Sequence, residues 1–157
     1  MSINRILASI VLLLILSGLS GAQSAGSATP PPKPGTEYSG MYSFLKEGEF
    51  VQVTVEDDGR VTGFVSRYGD LESDKGAFLD HFFKNATLVG SQLSFTTQVV
   101  HGVWFQFKGT IGRGPGKSLK DEGYYQIKGS LTEYFEGAAK KEPARSREVE
   151  FKSFPPE

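Results

Sequence analysis

The chain reads as an all-β protein: an eight-stranded antiparallel up-and-down meander closing into a barrel, with a short helical turn near residues 76–84. Three observations predict this. The 12 Phe, 6 Tyr and 1 Trp suit a pleated, half-buried surface. The 19 glycines punctuate Val-, Phe-, Tyr- and Thr-rich stretches and supply tight reversals. Between Gly35 and Phe154 only Pro115 and Pro143 occur, both among loop residues, so the backbone donors that a ladder needs are intact.

The elements follow in order. Residues 37–45 form the first strand, which turns at Lys46-Glu47-Gly48. Residues 49–56 form the second, with Val51, Val53 and Val55 on one face and Gln52 and Thr54 on the other. Asp57-Asp58-Gly59 then reverses the chain, with Gly free to take a positive φ, and 60–68 is the third strand. Residues 69–80 are less regular. Phe78, Leu79, Phe82 and Phe83 are spaced one and four apart, which predicts a helical turn with one apolar face, a plug or lid. Residues 85–89 and 92–100 are strands about Gly90-Ser91, and 103–111 follows His101-Gly102. A glycine-rich loop leads to the long strand 124–135, and 147–154 is the last.

Laid flat, such a sheet has two hydrophobic edges open to aggregation, and closure removes them. An eight-stranded barrel has an interior that side chains fill or that holds one small ligand. The run Tyr38-Ser39-Gly40-Met41-Tyr42, then Glu49-Phe50-Val51-Gln52-Val53, then Asp58-Gly59-Arg60-Val61-Thr62-Gly63-Phe64 resembles the opening of avidin-like domains of the calycin (avidin- and lipocalin-type) group. The resemblance spans residues 38–64 and implies architecture alone. Avidin-like pockets use several tryptophans and Trp104 is the sole one here, so no binding residue is carried over.

Residues 1–22 have the form of a signal peptide: Arg5 is the only charge, 6–16 is strongly apolar, and Ser20 and Ala22 offer a peptidase site. The apolar stretch is shorter than the roughly 20 residues of a bilayer span. Residues 23–35, with Pro30-Pro31-Pro32-Lys33-Pro34-Gly35, read as an extended disordered linker, and 36–157 as the single barrel domain. The expected location is secreted or periplasmic, with membrane contact only through the cleaved leader. No cysteine is present, which removes disulfides, thiol catalysis and Cys-ligated metals. Cleavage takes Arg5 from the 17 basic side chains and leaves 16 against 18 acidic ones. Such a near-neutral surface does not suit nucleic acid. Nothing in the sequence sets an oligomeric state.

Several motifs carry types that chemistry uses. Gly112-Arg113-Gly114-Pro115-Gly116-Lys117-Ser118 falls short of a phosphate loop, because Ile111 stands where the first Gly is needed; a hairpin loop or a loose anion nest remains. Asp70, Glu72 and Asp74 form half a calcium loop, with Lys75 where Gly and His81 where Glu should be. His81 and His101 are the only imidazoles, so a metal site would need both plus a carboxylate such as Asp74 or Asp80. Asp80-His81 with Ser66 or Ser73 supplies the types of a hydrolytic triad, without a nucleophile elbow. No pattern calls for a metal or a cofactor.

The central strands divide into two phases. Thr96, Gln98, Trp104, Gln106, Lys108, Tyr124, Gln126 and Lys128 form a polar-aromatic face, and Phe95, Val99, Phe105, Phe107, Tyr125 and Ile127 an apolar one. An apolar interior predicts non-catalytic binding of a small apolar or aromatic ligand, with Phe95, Phe105, Phe107 and Tyr125 as wall residues. The reverse phase would place amides and Trp104 around a polar ligand. Two further classes stay open: a barrel-type enzyme, an isomerase, cyclase or hydrolase, using His81 and His101, and an envelope interaction module without a pocket.

Overall fold

The computed structural model describes residues 33–70, 72–136 and 144–156. The signal peptide and nearly all of the linker expected from sequence lie outside them. A 3-10 turn at Thr36–Tyr38 leads into eight strands: β1 (Gly40–Ser43), β2 (Phe50–Val55), β3 (Val61–Tyr68), β4 (Phe78–Val89), β5 (Gln92–Thr97), β6 (Val103–Arg113), β7 (Tyr125–Phe135) and β8 (Arg145–Lys152). They pair in sequence order, every neighbour antiparallel. The edges nearly meet. Tyr42 bridges Ser153, the Phe154 N–H donates to Met41 O at 2.9 Å, and the Lys152 N–H donates to Ser43 Oγ at 3.0 Å. The up-and-down barrel expected from the sequence is the observed fold.

Local chemistry explains the reversals. At Asp57-Asp58-Gly59, Gly59 takes φ 86°, its N–H donates to Glu56 O, and Asp58 Oδ1 accepts from the Arg60 N–H at 2.9 Å. Period two then sets the core. Val51, Val53 and Val55 face in from β2, and meet Val61 and Val65 of β3. From β5 to β8 come Leu93, Phe95, Phe105, Phe107, Ile111, Ile127, Leu131 and Phe151. Their rings make a continuous chain: Phe83 stacks on Phe95 at 4.4 Å, Phe95 on Phe107 at 5.2 Å, and Phe151 bridges Phe107 to Phe44.

The helical turn expected near 76–84 is not formed. Phe78–Val89 is one strand, in register with β3 through Tyr68↔Phe78, Ser66↔Asp80 and Phe64↔Phe82. The outward residues Phe78 and Phe82 lie against Tyr68 and Phe64 of the neighbouring strand, so both faces of β4 mix large apolar with polar residues and its period-two signal is lost. A strand bonded along its length to β3 and β5 is also no lid. Val99, expected with the apolar face, is exposed because β5 ends at Thr97.

Candidate functional site

The barrel interior is apolar except at one end. Arg67, on the inward phase of β3 with Val61 and Val65, is 5% exposed, and His81 of β4 is fully buried beside it. Arg67 Nε–H donates to His81 Nε2 at 3.2 Å, so the imidazole carries its proton on Nδ1, a buried atom without a hydrogen-bond partner among the described residues. Burial first, and then the Arg67 charge, push His81 down to about 4 against the opposing influence of the Gln98 and Val103 backbones and Asp80. The guanidinium continues outward, Nη1 donating to Tyr68 O at 3.1 Å and to Asp70 Oδ2 at 2.7 Å. Partial burial would raise the Asp70 carboxyl, but Lys46 and Arg67 outweigh it and hold the group below the ordinary carboxylate range.

His101 belongs to a separate pair. Its Nδ1 lies 2.7 Å from Asp74 Oδ2, and its backbone takes φ 49°, a left-handed conformation rare outside glycine. The His101 hydrogen bond, then that of Ser73, lower the Asp74 carboxyl. Asp74 thereby ties the 69–77 loop to the β5–β6 turn. The combinations of a calcium loop do not form, because Asp70 is engaged by Lys46 and Arg67 and Asp74 by Ser73 and His101. Among the described residues no three His, Asp or Glu side chains are grouped to hold a metal ion.

The hydrolytic triad does not assemble either. Ser66 Oγ donates to Asp80 Oδ1 at 2.7 Å on the outer face, whereas His81, one residue on, points inward. Adjacent strand residues face opposite ways, so Asp80 cannot orient the His81 ring. In the glycine-rich loop the Lys117 and Ser118 N–H groups converge on Asp121 Oδ2 at 2.8 and 2.9 Å. The nest is there, and the chain's own carboxylate fills it.

Of the expected wall residues, Phe95, Phe105 and Phe107 come together inside the barrel. Phe105 and Phe107 expose no surface, so no void of water size touches them. Tyr125 stands apart, at the barrel end near the β1–β8 seam, where Tyr38 meets its ring edge-on at 5.2 Å and Tyr124 at 4.8 Å. The Arg113 guanidinium lies 3.2 Å from the Tyr124 ring centre. Beside these rings opens a groove of about 430 Å³, whose apolar walls include Met41, Leu119, Tyr124, Tyr125 and Phe154. Met41, Leu119 and Phe154 are 42%, 54% and 39% exposed there. Glu37, Ser39 and Gln52 give it a polar margin.

Comparison of the chain with protein-family models and with curated proteins gave no match. Sequence reading missed Arg67 and the Leu119 wall. A charged residue in phase with Val61 and Val65 was the available signal for Arg67. Leu119 sits in a loop with no periodicity to mark it.

Proposed function

We propose that this is an exported, non-catalytic binding protein that takes a small apolar or aromatic ligand in the groove beside Tyr125. The observation that carries this reading is the concentration of exposed apolar surface, Met41, Leu119 and Phe154, in a concave site walled by tyrosines. Mostly apolar walls with a few convergent polar groups are the usual form of a small-molecule site. Phe95, Phe105 and Phe107 belong to the packed interior and do not line this groove. The histidines speak against catalysis by His81: its Nε2 is taken by Arg67 and the ring is buried, out of reach of a substrate.

The test uses the neutral fluorophore N-phenyl-1-naphthylamine. Saturable enhancement of its emission is expected, with a rise in melting temperature, because a ligand that binds only the native state stabilises it by mass action. Leu119→Asp places a charge in the groove at an exposed loop position and should abolish both effects while leaving the melting temperature of the free protein unchanged. No saturable binding, or equal binding by Leu119→Asp, refutes the reading.

A further inference from the structure

The outer face of β4 to β6 carries a second groove, of about 530 Å³, which the ligand reading above does not use. Trp104 of β6 and Tyr134 of β7 are register partners, and their rings stack face to face at 3.8 Å with planes 6° apart. Tyr134 Oη donates to Gln106 Oε1 at 3.2 Å, which pins the phenol and, through it, the indole. One indole face is therefore covered by β7. Because β5 flanks β6 on the other side, the second face turns toward Thr96, Gln98 and Val99, which line the groove with it.

Lys84 forms another wall through an irregularity in the ladder. Phe83 pairs with Thr97 and Asn85 with Thr96, leaving Lys84 as the extra residue of a bulge. Bulges re-aim side chains, and this one brings an ammonium to the groove. Glu136, just past β7 and held by its N–H to Gly102 O at 2.7 Å, adds a carboxylate. Among the described residues the side chains of Lys84, Gln98 and Glu136 have no hydrogen-bond or ion-pair partner.

The groove thus presents an immobilised aromatic plane bordered by an unspent amide, ammonium and carboxylate. The negative face of an indole attracts weakly positive C–H groups. One charge of each sign leaves no net charge, so an anion is opposed by Glu136 and a cation by Lys84. A wholly apolar ligand would desolvate three polar groups without satisfying them. The chemistry that meets all of these conditions has C–H groups on one face and hydroxyls around its rim, as a pyranose ring does. We propose that this groove is a binding subsite for a neutral saccharide, with Trp104 as the stacking platform and Lys84, Gln98 and Glu136 bonding its hydroxyls.

Trp104 is the sole tryptophan, so its emission reports this groove alone. The purified full chain is titrated with cellopentaose, chitopentaose and maltopentaose, and with adenosine as a planar aromatic comparison. A saturable emission change with at least one oligosaccharide is expected. Gln98→Ala and Glu136→Gln alter exposed side chains without partners among the described residues, should leave folding intact, and should each weaken binding about tenfold, the loss that goes with one hydrogen bond to a ligand hydroxyl. Calorimetry on Trp104→Phe should show a loss at least as large, whereas Leu119→Asp should bind sugar as the parent does. The proposal is overturned by no response to any of the three sugars, by a response unaltered in Gln98→Ala and Glu136→Gln, or by saturation with adenosine in place of sugar.

Discussion

Arg67 donates its Nε–H to the neutral ring of His81 at 3.2 Å, inside a barrel end from which water is excluded from the imidazole. The folded pKa of His81, about 4, lies below its ordinary value of 6.5. Between those values the unfolded chain takes up a proton that the native state refuses. Stability is therefore complete above about pH 6.5, falls as the pH drops toward 4, and levels off below it as far as this group is concerned. The loss should reach roughly 3 kcal/mol. Urea unfolding at intervals between pH 7 and 4 measures it. His81→Gln keeps an acceptor for Arg67 but does not titrate, and should flatten the profile; an unchanged slope would assign the effect elsewhere.

The packed ring chain makes a second prediction. Phe107 is fully buried, touching Phe95 and Phe151, so Phe107→Ala should cost about 3–5 kcal/mol in denaturant melts. Phe82→Ala on the outer face, where the ring is 52% exposed, should cost about 1 kcal/mol or less. Similar losses at the two positions would mean that the interior is not close-packed.

Gly109 and Gly129 face each other across β6 and β7. A Cβ on Gly129 would run into Lys108 O and Gly109 Cα, and one on Gly109 into Lys128 O and the Phe107 ring. Gly129→Val should therefore destabilise by roughly 1–3 kcal/mol or more, although valine is the better strand former. Gly112→Ala has open space around its Cβ and should be neutral or slightly stabilising. Equal thermal melts for these two variants would show that the strands do not approach so closely.

Export is tested independently of binding. Mass spectrometry of protein recovered from its native host should find a chain beginning at Gln23, and recovery of a chain that still holds Met1 would exclude cleavage.

Sequence by itself determined the strand count, the meander and the division of the strands into two side-chain phases, because side-chain period and turn glycines are local properties; which phase of the central strands lines the interior was settled by the structure. Val51, Val53 and Val55 alternate with Gln52 and Thr54, and no distant partner is needed to read them. β4 escaped because aromatic neighbours on β3 cover Phe78 and Phe82 on its outer face, and a strand with large apolar and polar residues on both sides loses its alternation. The sites depended on tertiary structure throughout. Arg67 and His81 lie 14 residues apart, Trp104 and Tyr134 meet through strand register, and Lys84 faces its groove because of a bulge. Tertiary structure also decided that Phe105 and Phe107 pack as core and that exposed apolar walls gather beside Tyr125. The physical reason is that barrel closure sets which distant side chains share a volume, and whether rings fill that volume or leave it open is a matter of three-dimensional packing that a one-dimensional pattern does not contain.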